Sequence, residues 1–179
     1  MSKTFRVLLI IDMLNDFMNP EGALYCGEEA RRIIPVIRSL IDRFLHEKHP
    51  IIYLCDAHAP DDKEFDLFSS HAVRGSWGSQ IIAELTPPEG SIVMSKTRFS
   101  AFYKTNLEEV LASLQPEEVW VTGVVTSICV MDTTGDLRNR DYQAVVPVGA
   151  VADFDPEAHR FALNRMERVY GARLMRELV

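Results

Sequence analysis

The sequence predicts an α/β fold in three layers, α/β/α, built on a doubly wound parallel sheet of about six strands. Two observations carry that expectation. Short, almost continuous apolar runs recur along the chain, the pattern of strands buried on both faces. Between them lie segments whose apolar residues repeat at helical spacing, so that strand and helix alternate and sequential right-handed crossovers cover both faces of the sheet.

Residues 5–11 (FRVLLII) form the first run, which ends abruptly at Asp12. Residues 28–48 carry Ile33, Ile34, Ile37, Leu40, Ile41, Phe44 and Leu45 as one apolar helix face, with Pro35 either in the first turn or at a kink. The second strand, residues 51–55, ends at Asp56. A short helical pattern at 80–85 precedes a third strand at 91–95. Helices over 106–114 and about 128–139 then alternate with strands at 118–122 and 144–148. The last helix, near 156–170, leads into a short strand at 172–175.

At 179 residues and 47% hydrophobic composition, one domain over 1–179 accounts for the whole pattern, with no repeat or linker to divide it. A net charge of −7, with no basic run longer than Arg31-Arg32, repels a phosphate backbone, so nucleic acid is not an expected partner. Nor is a membrane, because no segment approaches the roughly 18 apolar residues of a span. The opening residues, MSKTFRVLLIIDM, lack the charged start and cleavage site of a signal peptide. Three cysteines without a C-x-x-C spacing argue against a disulfide framework, and together these features point to the cytoplasm.

In open parallel sheets, ligands bind beyond the carboxyl ends of the strands, where strand order reverses. Asp12 ends the first strand, Asp56 and His58 the second, Lys96 follows the third and Cys129 follows the fourth. Taken singly, Asp12 also reads as a helix cap, Lys96 as a solvated lysine and Cys129 as a small buried hydrophobe. Their joint appearance at strand ends points instead to an activated nucleophile. Thr126 or Ser127 would cap the helix, and a thiolate in its first turn gains from the backbone N–H groups and a nearby ammonium. A carboxylate beside it would take the proton on attack and return it to a leaving amine.

Asp56 and His58, one residue apart, face the same way on an extended segment, and His71 follows thirteen residues after His58. Two imidazoles and a carboxylate suit a divalent metal such as zinc, manganese or iron. Alone, D-x-H with a distant histidine fits a surface or helix-capping pattern as well.

The chain resembles the isochorismatase-like hydrolases, and within them the nicotinamidases, through LLIIDMLNDF, DAH, SKTRFSAFYKTNLEEVL and TGVVTSICVMDTT. The resemblance implies the isochorismatase-like, Rossmann-like form of the α/β fold. It also implies that Asp12, Lys96 and Cys129 are the catalytic acid, lysine and nucleophile, a cysteine that relatives acting on isochorismate lack. A cis peptide at Val124-Val125 is implied too, with the backbone N–H groups of Val125 and Cys129 as the oxyanion hole. The segment DAHAPDDKEFDLFSSHAVRGSWG is similar to the metal loop of nicotinamidases, which makes Asp56, His58 and His71 ligands and Glu64 a further acidic one. Many nicotinamidases carry another histidine between the two matched here, and this loop has none. Phe17 and Phe68 match positions that flank the substrate ring; Tyr103 and Trp77 are further wall candidates.

These residues together imply a metal-dependent cysteine amidohydrolase that converts nicotinamide, or a related small amide, to the acid and ammonia through a thioester. The metal expected first is zinc, and the resemblance implies a homo-oligomer, dimer or tetramer. The rivals are another amidase of the superfamily, acting on a carbamoyl, ureido or biuret-type substrate, and a non-catalytic binding or thiol-sensing domain. Leu14, where many relatives have glutamine, and Gly149, where aspartate is common, bear on the substrate. His46, His49 and His159 find no ligand set in the sequence, Cys55 reads as core, Cys26 as an exposed loop thiol, and Asp16 as a residue that orients a loop.

Overall fold

The structure, a computed structural model, describes residues 4–177. The domain expected over 1–179 and the polar start of the chain include residues 1–3 and 178–179, which lie outside those described. In chain order the regular elements are β1 (Arg6–Ile11), α1 (Asn15–Met18), α2 (Glu28–Arg31), α3 (Ile33–Glu47), β2 (Ile51–Asp56), β3 (Ile92–Lys96), α4 (Leu107–Leu114) and β4 (Glu118–Val124). They continue with α5 (Met131–Asn139), β5 (Ala144–Pro147), β6 (Val151–Ala152), α6 (Pro156–Arg168) and β7 (Arg173–Met175). A π turn at Thr126–Val130 joins β4 to α5.

Every strand pairing is parallel, and the sheet runs β3-β2-β1-β4-β5-β7, with β6 added beside the carboxyl end of β4. Strand order therefore grows in opposite directions from β1 and from β4, which makes their shared end the switch point of a doubly wound sheet. The two-residue β6 is too short to leave a periodic signal in the sequence.

Alternation along β1 sends Leu8 and Ile10 to one face and Val7, Leu9 and Ile11 to the other, so two cores form. On the first face α3 buries Ile33, Ile37, Ile41 and Phe44, the apolar stripe expected, and Phe44 meets Trp120 edge-on at 5.5 Å between ring centroids. Pro35 sits in the first turn of α3, where its missing N–H leaves no intrahelical bond unmade. On the second face Leu111 of α4, Leu137 of α5 and Met166 of α6 close the third layer. Helix α6 begins where Asp155 accepts the N–H groups of Glu157 and Ala158.

The helix expected at 80–85 is a correction: only a 3-10 turn, Ala83–Leu85, forms. Residues 80–82 are instead held against the segment after β1, through Ile82 N–H to Met13 O (3.0 Å), Asn15 N–H to Gln80 O (2.9 Å) and an antiparallel bridge from Leu14 to Ile81. Those tertiary hydrogen bonds outcompete a local helix. The link from β2 to β3 is therefore a long loop, and it carries most of the residues singled out around the metal pattern. No helix among the described residues is long and apolar enough to cross a membrane.

The Val124-Val125 peptide is cis, as the resemblance implies. Just before it, Gly123 has φ 108°, and a Cβ there would lie 2.0 Å from the carbonyl oxygen of Ile11. Only glycine lets β4 approach the end of β1 this closely. Gly123→Ala is expected to cost about 3 kcal/mol or more of unfolding free energy. Urea denaturation measures it, and a change within about 0.5 kcal/mol, the range of a neutral surface substitution, would refute this account of the switch point.

Candidate active site

Four strand ends deliver their polar residues to one place. Asp12 follows β1 with φ 53°, a left-handed conformation that aspartate tolerates better than most residues. Its Oδ1 accepts the N–H of Asp56 at 2.9 Å. Lys96, the last residue of β3, is fully buried and reaches four groups: Asp12 Oδ2 at 2.7 Å, Asp56 Oδ1 at 2.7 Å, the carbonyl oxygen of Arg98 at 3.2 Å and Cys129 Sγ at 3.4 Å. The contact with Asp12 Oδ2 is ionic, lying off the direction of a well-formed hydrogen bond. The nearest oxygens of Asp12 and Asp56 and the sulfur of Cys129 lie within 4.8 Å of one another. The expected trio thus converges on a single ammonium.

Electrostatics corrects one expectation here. Burial, together with the carboxylates of Asp12 and Asp56, pushes the Cys129 thiol well above its ordinary pKa, and Lys96 only partly offsets that. That direction is opposite to the lowering expected from a helix N-terminus beside a lysine. Two carboxylates already face one ammonium, and a thiolate would add a second uncompensated negative charge. Asp12, by contrast, is raised to about 6 by burial and by Asp56, against the opposing pull of Lys96. It is therefore a carboxylate near neutrality with an appetite for a proton, suited to take one from the thiol. Lys96 stays an ammonium: burial alone would lower it, but the two carboxylates raise it well above the ordinary lysine value.

Cys129 itself lies in the π turn, and the expected cap by Thr126 or Ser127 does not form. Asp153 Oδ2 accepts the Ser127 N–H instead, at 2.8 Å, and Thr126 Oγ1 contacts His159 Nδ1 at 3.0 Å. His159, distant in sequence, therefore braces the turn that carries the cysteine.

Beside this trio stand Asp56, His58, Glu64 and His71, all buried, each offering one donor atom within 4.8 Å of the others. His58 Nε2 is 3.6 Å from Asp56 Oδ2 and 3.9 Å from Glu64 Oε1, and His71 Nε2 is 3.7 Å from Glu64 Oε1. The opposite ring nitrogens are occupied: His58 Nδ1 donates to Asp62 at 3.2 Å and His71 Nδ1 to the carbonyl of Ser69 at 2.7 Å. That arrangement leaves both Nε2 atoms as acceptors aimed inward. His58 Nε2 and Glu64 Oε2 are buried without a hydrogen bond, which is costly unless a cation or water completes them. Burial would lower His58, yet Asp56, Asp62 and Glu64 hold it above its ordinary pKa, and burial raises Glu64. Two imidazoles and two carboxylates so disposed fit a divalent transition metal. Asp62, unrecognised in the sequence, is itself lowered to about 2 by the N–H of Glu64 and by Arg98, whose Nη1 lies 2.9 Å from its Oδ1.

A cavity of about 290 Å³ opens onto Asp12, Asp56, Glu64, His71 and Cys129 together. Phe17 and Phe68 line it as expected, and their rings lie 5.5 and 6.3 Å from that of His71. Tyr25, Phe99, Ile128 and Phe154 complete an aromatic and aliphatic wall that sequence reasoning missed. Tyr25 sits in a loop that carries no periodicity, and the hydrogen bonds of residues 24 and 26 to α1 set its placement. Cys26 is a correction: it is buried, lines the same cavity, and burial pushes its thiol up to about 12. Tyr103 lines a separate cavity, and Trp77 is half exposed and takes no part in the wall. All three cysteines are buried and unpaired with one another.

The isochorismatase domain family model matches residues 6–176. Among solved structures, nicotinamidase PncA from Bacillus subtilis is 36% identical with a TM-score of 0.90, over 94% of this chain and 98% of that one. N-carbamoylsarcosine amidase from Thermoplasma acidophilum is 32% identical, TM-score 0.88, over 98% and 99%. Pyrazinamidase of Pyrococcus horikoshii in complex with zinc is 26% identical, TM-score 0.89, over 96% and 99%.

Lys96 is the shared counter-charge of the site, so Lys96→Met should leave Asp12 and Asp56 buried and uncompensated. The expected loss is about 3–5 kcal/mol of stability at pH 7 in chelator. A loss under about 1 kcal/mol, the worth of an exposed ion pair, would contradict the burial of this charge.

Proposed function

The chain belongs to the isochorismatase family, and from that premise we propose that it is a metal-dependent cysteine amidohydrolase acting on nicotinamide or a closely related small aromatic amide. The observation that carries the reading is the Lys96 ammonium in contact with both Asp12 and Cys129, two residues that line one cavity together with Asp56, Glu64 and His71 of the four-donor cluster.

In the proposed cycle, Cys129 Sγ attacks the carboxamide carbon while its proton passes to the Asp12 carboxylate. The N–H groups of Val125 and Cys129 receive the oxyanion, where a single donor is typically worth about 3 kcal/mol. Asp12 then protonates the departing nitrogen as the C–N bond breaks, releasing ammonia and leaving a thioester on Cys129. Water adds to that carbonyl with its proton going to Asp12, the C–S bond breaks, the sulfur takes the proton back and the acid leaves. Lys96 stays charged throughout and limits the excess negative charge as sulfur and carboxylate exchange the proton.

Asp56, His58, Glu64 and His71 would hold the metal, zinc first, with manganese and iron as alternatives. When bound it supplies a Lewis-acid contact for a ring nitrogen and so orients the carboxamide. Phe17 and Phe68 suit a flat ring, and the mainly apolar wall excludes water from the thiol. A carbamoyl or ureido substrate, the alternative within the family, uses neither the ring wall nor a metal-seeking nitrogen.

Ammonia release from nicotinamide, pyrazinamide, carbamoyl and ureido amides, measured with and without chelator, tests the reading. Nicotinamide turnover that chelator abolishes and zinc restores is expected. Cys129→Ala should lower it by about a thousandfold or more while zinc uptake persists. Turnover confined to ureido amides and indifferent to chelator would overturn the substrate assignment.

A further inference from the structure

Asp16 is a buried carboxylate that makes no ion pair among the described residues; its oxygens are taken up by backbone amides of two loops, one seven and one 56 residues away. Oδ2 accepts the N–H of Ala72, directly after His71, at 2.7 Å. Oδ1 accepts the N–H of Ala23 at 3.0 Å, at the start of the stretch that gives Leu24, Tyr25 and Cys26 to the cavity. The carbonyl of Ala72 in turn accepts the N–H of His58 at 3.0 Å, so one residue, Ala72, joins the Asp16 carboxylate to the backbone of both histidines.

The main chain of α1 adds to the clamp. Asp16 O and Phe17 O accept the N–H groups of Leu24 (3.0 Å) and Cys26 (2.9 Å), and Asp16 N–H donates to Gly78 O (3.1 Å). Gly78 closes over the carboxylate so tightly that a Cβ would lie 2.0 Å from Asp16 Oδ2. Ala72 has φ 42°, a conformation an alanine keeps only when its surroundings hold it. Two charge-assisted hydrogen bonds to a buried carboxylate are such a constraint.

We propose that Asp16 is a positioning residue that holds the metal loop and the cavity wall in register, coupling metal occupancy to the shape of the pocket. The inference rests on the metal reading above. Through Ala72 it orients His71 and His58; through Ala23 it orients the wall at residues 24–26. An asparagine there keeps the shape but supplies one acceptor where two are needed, so one loop is released.

Zinc titrated calorimetrically into metal-stripped wild type and Asp16→Asn tests this. The variant should bind zinc about tenfold or more weakly, the usual effect of losing an outer-layer partner of a ligand. Its KM for nicotinamide should rise while kcat at saturating zinc changes by less than about threefold. Wild-type affinity in a folded Asp16→Asn protein would overturn the proposal. A second measurement needs no variant: in wild type, the amide resonances of Ala72 and Ala23 should move together as zinc is added, saturating at one equivalent. An Ala23 amide that stays still would overturn the coupling even if the variant failed to fold. A wild type that takes up neither zinc, manganese nor iron(II) overturns the metal reading itself, and this inference with it.

Discussion

One buried ammonium organises this protein. The Lys96 ammonium is buried and faces Asp12 and Asp56 at 2.7 Å each, and among the described residues no other cation lies so near those carboxylates. A buried charge of this kind is tolerable only with complete partners. Asp56 is the hinge of the arrangement: one oxygen faces Lys96 at 2.7 Å and the other faces His58 at 3.6 Å. The Lys96–Cys129 contact and the four-donor cluster therefore share a carboxylate, and neither can be rearranged without disturbing the other's charge.

The fold makes that sharing natural. In a parallel sheet every strand ends at the same edge, so β1, β2, β3 and β4 each release the chain within reach of the others. Adjacent registers do the rest: Asp56 pairs with Lys96 across β2 and β3, and Gly123 sits against Ile11 across β4 and β1. Around this base the long β2–β3 loop supplies His58, Glu64 and His71 of the four-donor cluster, and the stretch over 19–27 supplies cavity wall. They have little regular structure, so their order comes from a few buried polar contacts, among them the amides gathered by Asp16 and the Asp62 contact behind His58.

Alternation and polar strand ends were legible in the sequence because they follow from periods of two and 3.6 residues and from a topological rule. Asp12, Lys96 and Cys129 could be paired on those grounds, and Glu64, Phe17 and Phe68 through family likeness. What escaped was whatever depends on long-range contact. Residues 80–82 have a helical pattern but hydrogen-bond to residues 13–15, Cys26 turns inward because α1 captures its amide, and β6 exists only as a partner for Gly123 and Val124. The state of Cys129 escaped for a related reason. Proximity to a lysine suggested a lowered thiol pKa, whereas burial and two carboxylates push it up.

The central claim is that this thiol becomes covalently acylated when Asp12 takes its proton. Intact-mass and peptide mapping of enzyme quenched in acid during turnover of nicotinamide measures that directly. The account predicts a nicotinoyl adduct on the peptide containing Cys129 and on no peptide containing Cys26 or Cys55. Turnover with Cys129 unmodified throughout, or an adduct on another residue, would contradict it.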